Sequence, residues 1–366
     1  MVKHIDSLDG LRAYSALAVL AFHTGIIHFW YGWVGVQFFF VISGFLISGI
    51  LMDSRSAVNY FSSFYARRFL RIFPIYYASL AAVLLYCLVR HLPHRDFWWY
   101  LLYVQNFKLA FDKWNVSFPR MFDHTWSLAI EEQFYIFFPL LVRYLKDKYL
   151  VIVCFFIIFA AILVRYVLSI IFPGNPIVWA NTVSSMDFLS AGVIIAISMN
   201  YGKLELLKKF LVYTTLVLLA AYSIVLYQHW HTTIFHVPFD LTDLHGQFFF
   251  VLLLPITSLV IVSLIQSKSS GIWTKVKHYF FENKVITYIG KISYGLYLFH
   301  FPVFWLVDDH LQRYGIVVDY NGNATTYLVA ICKILITFLV AVLSWNFFET
   351  RVLRYKKNFP YKFTVK

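Results

Sequence analysis

An all-α, polytopic membrane protein is the fold class this sequence predicts, and three observations carry the prediction. Of the 366 residues, 60% are hydrophobic, 21% are aromatic and only 13% are charged, a balance outside the range of soluble domains. Apolar runs near the ~20 residues needed to cross a bilayer recur along the whole length. The basic residues, finally, are divided unequally between the two ends of those runs, as an oriented membrane protein requires.

The runs place about ten transmembrane helices, at 11–28, 33–51, 70–89, 127–144, 149–171, 183–199, 209–227, 247–265, 287–306 and 325–347. Bulky "HFWYGW" follows the first, where a cleaved leader would carry small residues. With ten spans and a cytoplasmic N-terminus, the even-numbered connections and both ends hold 21 Lys and Arg against 6 on the opposite side. Both termini are therefore expected to be cytoplasmic, with 90–126 and 228–246 as the long external connections. The same distribution accounts for the net charge of +13 without nucleic acid as a partner. Cys87, Cys154 and Cys332 fall in spans at unrelated spacings, forming neither a disulfide framework nor a metal motif. A single integral domain is expected to fill residues 1–366, with no appended soluble domain.

Ionisable groups within spans are costly, about 2.5–3.5 kcal/mol each at a helix centre, so each needs a reason. Counted inward from the outer ends, His23, Glu131, Glu132, Arg165, Asp187 and His300 share a layer roughly 6–9 Å below the outer surface. A buried salt-bridge network tying helices together is one explanation, and Arg165 with Asp187 fits it well. His23 fits it less well, because histidine exchanges a proton near neutral pH and arginine does not. A nearby carboxylate would orient it, and Glu131 is the expected partner. Ser127, Glu131 and Tyr135 follow i, i+4, i+8 and so share a helix face.

A cationic layer is expected at the cytoplasmic side. "YARRFLRIFPIYY" brings Arg67, Arg68 and Arg71 to the third span, and Arg12 lies level with them on the first. Topology alone could account for a generic basic loop, but three arginines without a lysine suit bidentate phosphate recognition. Arg12 and His23 lie eleven positions apart, three turns of helix, so they sit on nearly the same face roughly 16 Å apart.

Five segments together resemble the acyltransferase-3 family of integral-membrane O-acyltransferases over essentially the whole chain: "IDSLDGLRAYSALAVLAFH", "GWVGVQFFFVISGFLIS", "FYARRFLRIFPIYY", "HTWSLAIEEQFYIFFPLL" and "GKISYGLYLFHFPV". The resemblance implies a bacterial inner-membrane enzyme that moves an acyl group, usually acetyl, from cytoplasmic acyl-CoA to a sugar hydroxyl. Its acceptors would be exported polysaccharide or lipid-linked oligosaccharide, with acetyl-CoA as co-substrate and no metal. By the same resemblance Arg12 and His23 match the family's essential pair, Arg68 and Arg71 its paired arginines, and Glu131 the glutamate after "WSL".

On this reading the donor's phosphates rest on Arg12, Arg67, Arg68 and Arg71. Its arm runs along the first helix, with Gly35, Gly44 and Gly49 permitting close approach, and the thioester reaches His23. His23, oriented by Glu131, acts as general base, and Ser127, Tyr135 or Arg165 would stabilise the oxyanion, with His300 a further candidate at the acceptor site. A covalent acyl intermediate ranks second, since no serine or cysteine stands out as a nucleophile. The rival from another class is a proton-coupled transporter or flippase using the same buried charges as a relay, and a catalytically idle scaffold is a third. The external tryptophans Trp98, Trp99, Trp114 and Trp179 suit an interfacial belt or a sugar-stacking surface.

Overall fold

The computed structural model describes residues 4–25, 31–113, 120–230, 241–266, 271–316 and 324–364. Trp114 and most of the 228–246 connection lie outside them. Helices dominate these residues, and ten of them occupy the ten predicted spans. In chain order these are α1 (Asp6–His23), α2 (Val34–Asp53), α3 (Tyr60–Val89), α6 (Trp126–Tyr144), α7 (Asp147–Ile171), α9 (Thr182–Asn200), α10 (Leu204–Trp230), α11 (Leu244–Ile265), α14 (Ser293–Arg313) and α15 (Ala324–Ser344). Shorter helices fill the connections: α4 (Phe97–Leu101), α5 (Gln105–Phe111), α8 (Ile177–Ala180), α12 (Ile272–Phe281), α13 (Lys284–Lys291) and α16 (Thr350–Leu353). Among the described residues, six helices are long and apolar enough to cross a membrane by length and hydropathy alone. Among the rest, α1, α6 and α14 carry the ionisable groups of the site described below.

Three boundaries depart from the sequence reading, each for a physical reason. The first helix begins at Asp6, because Asp6 and Asp9 in its first turn complement the helix dipole. The third begins ten residues early, at Tyr60, so all three arginines lie on the helix and Arg71 sits roughly 16 Å along it. The ninth span is two helices. Asn283 caps the first of them by accepting from the Ile286 N–H at 2.9 Å, and the chain turns at Ile292 into α14.

The bundle is inside-out, as a bilayer solvent demands. Helix α7 buries only the stripe Leu150, Cys154, Ala161, Arg165 and Ser169, while Phe155, Phe156 and Phe159 face outward. Inside, helices meet through glycines. A Cβ on Gly44 of α2 would lie 2.0 Å from the Leu189 carbonyl oxygen of α9, and one on Gly192 of α9 would lie 2.2 Å from the Val41 oxygen. The backbones therefore touch, as small-residue crossings in membranes allow. Gly35 is filled in the same way by Ser15 and Val19 of α1. The expectation that Gly35 and Gly44 make room for a donor arm is thus corrected: both are occupied by neighbouring helices. Gly290 has the same role, its missing Cβ accommodating the Asp9 carbonyl and seating α13 against α1.

On the face where α3 begins, residues 354–362 return to it, Val58 N–H donating to the Lys362 carbonyl at 2.9 Å. On the other face, Trp98 is exposed, whereas Trp179 packs edge-on against Trp126 at 5.0 Å. Trp179 is thus a packing residue.

Candidate active site

The arginines converge because two helices present them to one another. Arg12, one and a half turns into α1, and Arg68 and Arg71, three apart on α3, line a single cavity of about 480 Å³. Arg67 lines it as well. Lys291 from the end of α13 and Lys356 from the C-terminal segment complete a lining of six cations, against the two carboxylates Asp9 and Glu131. Phe39 and Phe40 of α2 supply an apolar wall. Asp9 lies 3.6 Å from Arg12 and 3.0 Å from His4. Glu132, turned away from the cavity, sits 3.7 Å from Arg68, and the Arg68 guanidinium stacks 3.8 Å from the Tyr135 ring centre.

Glu131 and Glu132 therefore belong with the arginines, which corrects their placement in an outer layer with His23. The Glu131 carboxylate accepts from the Ser43 hydroxyl at 2.8 Å and faces Arg68. The long α3 explains this: its arginines reach deep into the bundle, where two buried carboxylates compensate them. Arg165 also lies elsewhere. It is buried in an ion pair with Asp187 at 2.6 Å, donates to the Ser184 carbonyl, and packs against Phe250. Among the described residues its interactions lie within α7, α9 and α11, away from the cavity lining, as expected of a residue that ties those helices together.

His23 has a different partner from the one expected. Its Nδ1 lies 2.9 Å from the Val19 carbonyl oxygen and 3.1 Å from Nε2 of His300. A carbonyl only accepts, so Nδ1 of His23 carries the hydrogen. By the same logic His300 donates from Nδ1 to the Tyr297 carbonyl at 2.5 Å, leaving its Nε2 to accept from His23. The tautomers, assigned from these hydrogen bonds, leave the lone pair of His23 on Nε2. His300 is buried, His23 is half-buried, and Phe22 and Phe301 pack edge-on to the His23 ring.

A third histidine, His124, sits 4.7 Å from His300, ring centre to ring centre. Its Nε2 donates to the Leu298 carbonyl at 3.2 Å, and among the described residues its buried Nδ1 has no hydrogen-bond partner. Sequence reasoning missed it. It lies within the "HTWSL" segment, but its position in an external connection gave no sign that the short 3-10 helix Arg120–Thr125 turns it back into the bundle.

Ser127 and Tyr297 stand between the cationic cavity and the histidines. Tyr297 donates to the His124 carbonyl at 2.7 Å, so the Ser127 hydroxyl, 2.6 Å away, donates to the Tyr297 oxygen. Both side chains line the cavity, whereas His23 and His300 do not. The arrangement has three parts: a cation-lined cavity, a hydroxyl pair in its wall that bonds to the histidine segment, and a histidine with a directed lone pair outside the lining.

Fold and site together define a polytopic helical membrane protein with a cation-lined cavity beside a cluster of three histidines. The chain belongs to the acyltransferase-3 family: residues 5–346 match its sequence profile, described as an acyltransferase domain. It is similar to the O-acetyltransferase OatA of Staphylococcus aureus, 28% identical over 381 residues, 98% of this chain and 58% of the relative. It is also similar to the peptidoglycan O-acetyltransferase OatA of Listeria monocytogenes, 26% identical over 389 residues, with the same two coverages. The chain thus spans just under three-fifths of the length of these relatives. No solved structure matches it.

Proposed function

We propose that the protein transfers an acyl group, acetyl by preference, from acyl-CoA to a hydroxyl of a cell-wall or exported polysaccharide. The observation that carries this reading is the sequence of parts in one direction, from cationic cavity through the Ser127–Tyr297 pair to the open Nε2 of His23. The names of the relatives support O-acetylation, and one of them points to peptidoglycan as the acceptor class. The excess of basic residues on the arginine side supports a cytoplasmic mouth and an inner-membrane location.

The residues fit such a donor. Guanidinium groups bind phosphate by paired, charge-assisted hydrogen bonds, and Arg12, Arg67, Arg68 and Arg71 all reach the cavity. The aromatic wall of Phe39 and Phe40 suits the uncharged arm that leads to the thioester. Tyr297 and Ser127 would part, or rotate their hydroxyls, to admit the acyl end.

His23 then removes the proton of the attacking sugar hydroxyl through Nε2, a contribution of about 10²–10⁴-fold. The hydroxyl oxygen bonds to the thioester carbon and the carbonyl electrons move to oxygen, where the Ser127 and Tyr297 hydroxyls, once rotated away from Tyr297 and the His124 carbonyl, would donate. Collapse breaks the carbon–sulfur bond, and the departing thiolate takes the proton from His23. Throughout, Nδ1–H of His23 stays bonded to Val19 and His300, which favours the charged ring.

The test uses purified protein in lipid nanodiscs with acetyl-CoA and a soluble glycan acceptor. Acceptor-dependent thiol release matched by O-acetyl glycan is the expected result. Thiol release with no acetylated glycan, for any acceptor of the polysaccharide class, refutes the transfer reading.

A further inference from the structure

The segment after the last long helix is fastened beside the basic cavity and contributes to its lining. Asn59 holds it twice, its Nδ2 donating to the Pro360 carbonyl at 2.9 Å and its Oδ1 accepting from the Lys362 N–H at 2.8 Å. Ser63 donates to the same Pro360 oxygen at 3.2 Å, and Arg67 donates to the Phe359 carbonyl at 3.3 Å. The strap is thereby tied to the first two turns of α3, the helix that carries Arg67, Arg68 and Arg71. Its position puts Lys356 and Tyr361 in the cavity lining, with the Arg67 guanidinium 5.7 Å from the Tyr361 ring centre.

Lys356 stands within electrostatic reach of Arg67, Arg68 and Arg71, all of its own sign. Holding a fourth cation there is unfavourable unless an anion comes between them. The lining has four more cations than carboxylates. A coenzyme A nucleotide, with its pyrophosphate and ribose phosphate, carries about four negative charges at neutral pH. An acyl group delivered on a carrier protein would present one phosphodiester, with about one negative charge, and would leave most of the excess unmatched.

We propose that Lys356 and Tyr361, the two residues of the 354–362 strap that line the cavity, form the outer half of the donor site. Lys356 contacts the phosphates of the nucleotide end, and the Tyr361 ring offers a face on which its base can stack. This rests on the acyl-CoA reading above and extends it to the nucleotide end of the donor and to a segment that follows the membrane-spanning helices.

The test is titration of the full-length protein in nanodiscs with coenzyme A and with 3′-dephospho-coenzyme A. Wild type is expected to bind coenzyme A more tightly. Lys356→Gln should weaken coenzyme A about tenfold and erase most of that preference, the effect of one lost charge-assisted contact. Asn59→Ala, which removes two of the strap's ties without altering a lining side chain, should reproduce part of the loss. Lys357→Gln, the exposed neighbour, should leave binding unchanged. If Lys356→Gln binds coenzyme A within twofold of wild type while Arg71→Ala does not, the strap is outside the site and the donor reading stands. If folded wild type binds neither nucleotide, the donor reading itself is overturned, and the strap proposal with it.

Discussion

Replacing His300 by phenylalanine isolates what the second histidine does for the first. The site is buried and bordered by the aromatic rings of Phe301 and Phe304, so a phenyl ring fills the volume without introducing a polar group. What disappears is the acceptor 3.1 Å from Nδ1 of His23. Val19 still holds that nitrogen, so the tautomer survives and only the stabilisation of the charged ring is reduced. A hydrogen bond to a charged group is worth about 1.5–3 kcal/mol, which at 1.36 kcal/mol per decade is about 10- to 150-fold in rate. His300→Phe should therefore slow acyl transfer by that factor, measured as acceptor-dependent thiol release, with coenzyme A binding unchanged. His300→Gln, which restores an acceptor, should recover part of the rate. His23→Ala should be slower than His300→Phe, and the double variant no slower than His23→Ala, because the two residues act as one unit. A double variant that loses the product of the two single effects refutes the pairing. So does a His300→Phe protein that transfers at the wild-type rate.

Glu131→Gln should reduce transfer several-fold more than Glu132→Gln, since Glu131 lines the cavity and Glu132 stands behind Arg68; comparison of initial rates decides this, and the reverse order refutes it. Arg165→Ala leaves Asp187 buried and unpaired, so thermal unfolding in detergent should report a loss of about 3–5 kcal/mol; loss of rate in a protein of undiminished stability would return Arg165 to the chemistry. Burial pushes the Asp123 carboxyl, in the connection before α6, up to about 7 against the opposing Tyr100 hydroxyl and Arg120 charge. The folded protein then keeps a proton that the unfolded chain releases, so this group's contribution to stability is full below about pH 4 and falls as pH rises to about 7; melting curves of Asp123→Asn should lack that component. Cysteines introduced singly at exposed Trp98 and exposed Lys357 should be labelled from opposite sides of the membrane, and labelling from one side would refute the topology.

The helices were legible in the sequence because hydrophobic run length is set by the bilayer, which constrains every span alike. The arginine group was legible too, since cations three apart on a helix share a face whatever surrounds them. What the sequence could not supply was the relative depth of different helices. Hydropathy starts α3 ten residues late, at 70 rather than Tyr60, and so sets Arg68 and Glu131 at opposite depths although they face each other. The spacing of His300 from Tyr297 and Phe304 puts all three on the buried side of α14, but it does not reveal that His23 is the neighbour of His300. Contacts such as His23–His300 and Asn59–Pro360 span 277 and 301 residues, and no periodicity in one stretch of chain reports on a partner so distant.

The crossing of Gly44 and Gly192 has a bearing on substrate choice. Ser43, Leu46 and Ile47 of α2, which flank Gly44, form part of the cavity wall, and α9 presses on the far side of the same helix. The caliber of the passage is therefore fixed from behind, by how closely two backbones can approach at a point that no ligand touches. On the proposed acyl-transfer reading, alanine at Gly192 would press α2 inward, carrying Ser43 with it, and narrow the bore for bulkier acyl chains. Selectivity between a two-carbon and a longer acyl group could in this way be tuned by a single methyl on the outer side of the wall.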